Sequence, residues 1–203
     1  MAIFVEKTIF VSGNTIFDGE GSDFSDGTPE THGLFNITGT IESDSLTGGD
    51  YDDTIKGGFG SDGLGGHDGN DLLRGGKGRD SLDGGTGDDH IRGGKGRDSL
   101  DGGDGSDTLV GARGDDVLKG GNDADLFVFA PDGAADLILD FEDGLDLIDL
   151  RAFEGLTFAD LVIISGEASG GPGTLVTVDA TTSLRLLEIA EGDIDAGDFL
   201  FAA

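Results

Sequence analysis

Large apolar side chains recur every ninth residue along the middle of this chain: Leu46, Ile55, Leu64, Leu73, Leu82, Ile91, Leu100, Leu109, Leu118 and Phe127. Glycine keeps the same step at Gly39, Gly48, Gly57, Gly66, Gly75, Gly84, Gly93, Gly102, Gly111 and Gly120. A polar column runs in phase with both: Asp44, Asp53, Asp62, Asp71, Asp80, Asp89, Asp98, Asp107, Asp116 and Asp125. Three columns in one unbroken frame over residues 39–128 are a repeat rather than an accident of composition. The unit reads G-G-x-G-x-D-x-U-x, with U apolar. Its x-U-x half predicts a very short strand with one inward side chain, and its glycine-rich half predicts a tight turn.

A second period lies on top of the first. Gly75–Gly85 reads GGKGRDSLDGG, and Gly93–Gly103 repeats it 18 residues later. Two nonapeptides per turn of a parallel coil follow, with odd and even loops stacked along opposite edges. Asp44, Asp62, Asp80, Asp98 and Asp116 share one edge; Asp53, Asp71, Asp89, Asp107 and Asp125 share the other. The expected class is therefore all-β, with a coil of five turns. Three regions are expected: an N-terminal β cap at 1–38, the repeat at 39–128 and a C-terminal β cap at 129–203. In the first, Thr8–Val11, Thr15–Phe17 and Leu34–Thr38 read as strands around a polar loop at Asp18–Glu30. In the last, Asp136–Phe141 and Asp146–Leu150 read as strands around a Glu-Asp-Gly turn. Leu156–Leu161 suits a short helix, and Leu161–Ser165, Leu175–Asp179 and Leu184–Ile189 suit strands. At its edges the repeat is worn: Glu42, Tyr51 and Asp123 stand where the fourth glycine belongs, and His67 replaces a second glycine.

Charge changes the picture. The 203 residues carry 42 acidic against 12 basic groups, a net charge of -30, with 40 glycines and no cysteine. Stacked strands lie about 4.8 Å apart, and carboxylates at that spacing repel strongly unless a cation sits between them. The donors on offer are carboxylate and backbone carbonyl oxygens, which suit a hard cation. Calcium accepts six to eight oxygens in flexible geometry, whereas magnesium keeps its own waters. The acidity speaks against nonspecific nucleic-acid binding, and the lack of cysteine excludes a disulfide framework. No apolar run approaches the ~20 residues of a membrane span. Met1–Phe10 contains Glu6 and Lys7 and makes a poor cleaved signal peptide.

The repeat closely resembles the RTX family of hemolysin-type calcium-binding nonapeptides, over about half the chain. The resemblance implies a parallel β-roll that binds several Ca2+ ions, up to about eight. Each ion would lie between loops 18 residues apart, held by two of the aspartates and by loop carbonyls. Carried over, the aspartate pairs are 53/71, 71/89, 89/107 and 107/125 on one edge, and 44/62, 62/80, 80/98 and 98/116 on the other. The carbonyls are those of Gly58, Gly60, Gly76, Gly78, Gly85, Gly87, Gly94, Gly96, Gly103 and Gly105. Asp136–Leu150 is similar to the D-x-I-x-D-F-x-x-G-x-D-x-I-D-L pattern found behind such repeats. Acidic residues before a final apolar run, as in Asp193–Phe201, resemble the family's uncleaved type I secretion signal. The implied protein is bacterial, secreted through type I machinery, and folds on calcium outside the cell.

Eight of the twelve basic residues gather on one edge of the repeat. Lys77, Arg79, Lys95 and Arg97 are the candidates for contact with an anionic polysaccharide or cell surface. Catalytic signatures are missing: there is no His-Glu-x-x-His, no G-x-S-x-G and no cysteine nucleophile. Gly58–Gly63 fits G-x-G-x-x-G but lacks the strand-and-helix setting of a dinucleotide site. The chain reads as a non-enzyme. Two alternatives are a calcium-dependent adhesive or carbohydrate-binding module, and the non-catalytic tail of a secreted enzyme.

Overall fold

A computed structural model describes residues 7–10, 35–165, 173–187 and 189–202. Each nonapeptide contributes one strand: β3 (Ser45–Gly49), β4 (Thr54–Phe59), β5 (Gly63–Asp68), β6 (Leu72–Lys77), β7 (Ser81–Thr86), β8 (His90–Lys95), β9 (Ser99–Asp104), β10 (Thr108–Arg113) and β11 (Val117–Asn122). Ahead of them lie β1 (Lys7–Phe10) and β2 (Phe35–Thr38). After them come β12 (Leu126–Val128), β13 (Ala135–Ile138), β14 (Leu147–Asp149), β15 (Val162–Ser165), β16 (Gly173–Thr177), β17 (Ser183–Leu187) and β18 (Phe199–Leu200).

From β2 to β14 successive strands alternate between two sheets. One runs β1-β2-β4-β6-β8-β10-β12-β14-β18 and the other β3-β5-β7-β9-β11-β13-β17-β16-β15. Pairing is parallel throughout the repeat, in an 18-residue register that sets Leu73 beside Ile91 and Leu82 beside Leu100. The fold is a parallel β-roll, all-β, with two nonapeptides per turn. Strands in the roll are longer than the x-U-x reading: six residues, running on through both glycines before the chain turns at the fourth position. From Gly48 onward the first glycine of each unit is buried, and a Cβ there would strike the aspartate of its own loop. At Gly84 the clash is with Asp89 Oδ2 and, 2.5 Å away, the carbonyl of Gly102. At the second position the backbone has positive φ, so glycine is favoured; His67 (φ 81°) and Ala112 (φ 77°) adopt it at a cost in strain.

Every strand of the roll buries one large side chain. The column from Ile37 through Leu46 to Phe127 is 0–3% exposed. Behind the repeat the core widens to include Phe129, Ile138, Phe141, Phe153, Val176, Leu184, Leu186 and Phe199. Asp136–Phe141 and Asp146–Leu150 contribute strands to opposite sheets, β13 and β14, as one further turn of the coil rather than a pair. β15, β16 and β17 form an antiparallel meander at the end of the second sheet. The short helix expected at Leu156–Leu161 is a single 3-10 turn at Phe158–Asp160. Thr15–Phe17 and Asp18–Glu30 lie outside the described residues.

Candidate metal centre

The strand register carries each aspartate to a position above the one 18 residues before it. There it makes a recurring bond: the backbone N–H of one aspartate donates to Oδ1 of the aspartate on the next turn. On one edge Asp44 donates to Asp62 at 2.8 Å, Asp62 to Asp80 at 2.9 Å, Asp80 to Asp98 at 2.9 Å and Asp98 to Asp116 at 2.8 Å. On the other Asp53 donates to Asp71 at 2.5 Å, Asp71 to Asp89 at 2.7 Å, Asp89 to Asp107 at 2.7 Å and Asp107 to Asp125 at 2.9 Å. These ten aspartates are 1–4% exposed.

The second oxygen of the interior aspartates has no such partner. Oδ2 of Asp62, Asp71, Asp80, Asp89, Asp98, Asp107, Asp116 and Asp125 is buried without a hydrogen bond among the described residues. It faces the first glycine of its unit, and beside Gly66, Gly75, Gly84 and Gly102 the first-glycine carbonyl of the next turn reaches the same point. Those carbonyls, from Gly84, Gly93, Gly102 and Gly120, are oxygen donors that the sequence reading did not name. The carbonyls it did name at Gly58, Gly60, Gly76, Gly78, Gly85, Gly87, Gly96 and Gly103 point along the stack at the next turn's second or fourth glycine, as Gly58 does at Gly76; Gly94 stands in register with Ala112. Gly105 is the next-turn neighbour of Gly87 in the same column.

Burial sets the electrostatics. Desolvation, with smaller repulsion from neighbouring carboxylates, pushes Asp71, Asp107, Asp116 and Asp125 up to about 7. Asp62 and Asp89 rise to about 6 for the same leading reason. Asp80 and Asp98 are raised by burial as well. A buried carboxylate without a counter-charge favours its neutral form.

Two residues outside the repeat continue the columns. Asp116 N–H donates to Asp136 Oδ1 at 2.8 Å, and Asp125 N–H donates to Asp146 Oδ1 at 2.9 Å. Desolvation lifts Asp136 to about 7 and raises Asp146. Both head an Asp-x-apolar triplet like those of the repeat, at separations of 20 and 21 residues instead of 18. At two ends the protein closes the ladder itself. Asp44 Oδ2 accepts the Thr40 N–H at 2.6 Å, and Asp146 Oδ2 accepts the Glu142 N–H at 2.8 Å.

This donor set fits a hard divalent cation. All the donors are oxygen, the free carboxylate oxygens point inward, and carbonyls share their space. Among the described residues no three Asp, Glu, His or Cys side chains converge on one point. The family profile described as the RTX calcium-binding nonapeptide repeat (4 copies) matches residues 38–73, 65–100 and 101–130. Residues 38–130 belong to the RTX calcium-binding nonapeptide repeats. Similar solved structures include the AlgE6R3 subunit of the Azotobacter vinelandii mannuronan C5-epimerase, 28% identical over 81% of both chains, with a TM-score of 0.40. The AlgE6R2 subunit of that epimerase is 25% identical over 82% of this chain and 92% of its own, with a TM-score of 0.40. The extracellular lipase LipA of Serratia marcescens is 15% identical over 89% of this chain and 42% of its own, with a TM-score of 0.37. No curated protein matches the chain.

The basic side chains of the RTX roll divide in the structure. Arg97 pairs with Asp115, and Lys119 with Asp101 at 3.0 Å. Lys77 and Lys95 stand with Arg74, Arg92 and Arg113 around a groove of about 570 Å³. Arg79 lies outside that lining, and its backbone N–H donates to Ser61. Among the described residues no helix is long and apolar enough to cross a membrane.

Proposed function

We propose that this is a secreted calcium-binding protein whose roll folds when several Ca2+ ions enter the two aspartate columns. The observation that carries this reading is the row of buried Oδ2 atoms without hydrogen-bond partners, stacked turn upon turn in both columns. Such atoms are costly to bury. Thr40 and Glu142 show that the chain can supply a donor where it closes a column, yet the interior stations lack one. The pairs 44/62 to 98/116 and 53/71 to 107/125 would hold the ions with nearby loop carbonyls. Asp116/Asp136 and Asp125/Asp146 would extend the ladder into the C-terminal region.

Calcium supplies the positive charge that these oxygens lack. The residues place two carboxylates in register, exclude water by burial and hold carbonyls beside them. Because the cation binds the ordered columns better than the extended chain, binding free energy becomes folding free energy, and several ions add their contributions. In the low calcium of a cytoplasm the columns repel and the chain stays extended, a form suited to passage through type I secretion machinery, with Asp193–Phe201 as the uncleaved signal. Outside, calcium at the ~0.1–1 mM of extracellular sites completes the roll. Circular dichroism in excess chelator and in millimolar calcium tests this: β-signal is expected to appear cooperatively with calcium, and equal β content in both would end the proposal.

A further inference from the structure

In a chain of net charge -30, a basic group would be expected to find a carboxylate. Arg97, Lys119 and Arg151 do so. Arg74, Lys77, Arg92, Lys95 and Arg113 do not: none pairs with an acidic side chain among the described residues. All five line one groove. Strand register orders them in two rows along the roll. Arg74 lies beside Arg92, and three positions on, Lys77 lies beside Lys95 and Lys95 beside Arg113. Between the rows the residues in register are Gly58, Gly76, Gly94 and Ala112, so the floor carries no side chain larger than a methyl. Phe59, 50% exposed, heads the second row under the Lys77 ammonium, whose Nζ is 4.2 Å from the ring centroid.

We propose that this groove binds a linear anionic polysaccharide laid along the roll axis, with its anionic groups over the two cationic rows. The shape of the cationic surface selects the ligand class. It is narrow: the strands that end in the groove begin at the opposite margin of the sheet, where Asp52 and Asp88 are exposed. A broad anionic surface, such as a membrane or a nucleic-acid duplex, would meet those acids too. A single polymer strand meets the groove alone. Spacing speaks against an acidic peptide. Rungs recur about every 4.8 Å, whereas carboxylates on one face of an extended peptide recur about every 6.6 Å. The guanidinium groups suit planar carboxylates or sulfates, and Phe59 offers an apolar patch for a ring face. Beyond a Debye length of about 8 Å the overall negative charge is screened, so the local field of the groove governs contact.

The groove exists on the folded roll, so the proposal rests on calcium-dependent folding. The test uses the full chain in millimolar calcium, followed by circular dichroism and by calorimetric titration. The probes are a short oligomannuronate, a sulfated heparin-derived oligosaccharide and a neutral dextran oligomer. Either or both acidic oligomers are expected to bind, identifying carboxylate or sulfate as the source, with affinity falling as salt rises and dextran inert. The combined variant Arg74→Gln, Arg92→Gln, Lys95→Gln should keep its β-signal and bind on the order of tenfold more weakly. Lys119→Gln, already paired with Asp101 and outside the groove, should bind as the parent does. A folded chain that binds neither acidic oligomer at low salt, or binds equally well in the triple variant, overturns the groove while leaving the calcium reading intact. A chain that stays unfolded in calcium overturns both.

Discussion

The roll and the region behind it share two continuous sheets but are held together differently. A roll strand such as β7 buries one leucine and one glycine, with an aspartate buried in the loop that follows. The C-terminal region buries aromatic and branched side chains against one another: Phe127 and Phe141 lie 6.3 Å apart, Phe158 and Phe199 5.7 Å, with Val176, Leu184 and Leu186 in the same core. Two of its buried polar side chains, Asp149 and Thr174, find partners within the region. Asp149 is bridged to Arg151 at 2.6 Å, and Thr174 Oγ1 donates to the Ile189 carbonyl at 2.7 Å. The roll leaves a free carboxylate oxygen at turn after turn. One large apolar side chain per nine residues makes a thinner core than the one behind it, and in the proposed function bound calcium contributes the rest. The proposed function makes this a division of labour: one part stabilised by its own core, the other by what it binds.

Acidification should erase this difference more than any single substitution, because it acts on many carboxyls at once. Asp71, Asp107, Asp116, Asp125 and Asp136 rise to about 7 in the folded state from an ordinary 3.8. A raised folded value means that the metal-free roll binds protons more tightly than the unfolded chain. Its electrostatic penalty is complete above about pH 7 and fades as pH falls from there towards about 4. In chelator, β content should therefore be greater at pH 5 than at pH 8. In calcium the direction reverses, since protons compete for the same oxygens, and calcium affinity should weaken below pH 7. A chelated chain no more structured at pH 5 than at pH 8 would contradict the account.

A smaller effect separates a glycine of the roll from one outside it. A Cβ at Gly84 would fall inside van der Waals distance of Asp89 Oδ2 and the Gly102 carbonyl, whereas at Gly192 nothing lies within 4 Å. Gly84→Ala should cost about 1–3 kcal/mol of stability in calcium and raise the calcium midpoint. Gly192→Ala should leave both within experimental scatter. Equal effects in thermal melts would show that the first glycine is not packed against the column.

The columns were legible in the sequence because their frame never slips between 39 and 128, and the register that stacks Leu73 on Ile91 follows from the 18-residue period. Asp136 and Asp146 escaped notice because the frame slips by two and three residues before them. Their signal was the Asp-x-apolar triplet, recognised as part of a family pattern but not as further rungs. The apolar runs of Asp136–Phe141 and Asp146–Leu150 around a Glu-Asp-Gly turn read as strands, yet such runs carry nothing about which sheet a strand joins. Ala112 looks innocuous in sequence, and its positive φ is imposed by the turn geometry of its neighbours. The basic edge was visible as charge. That Arg97 would be taken up by Asp115 while Arg74 and Arg92 stay unpaired depends on side-chain reach across turns, which spacing alone does not set.

Hydrogen exchange measured segment by segment, in millimolar calcium and in excess chelator at pH 7.5, tests the central claim most directly. With calcium, amides across β6 to β10 should be protected. In chelator that protection should collapse, with β16 and β17 losing much less. Strands of the roll that stay as protected in chelator as in calcium would show that the aspartate columns are stable without a cation, and the account would fail.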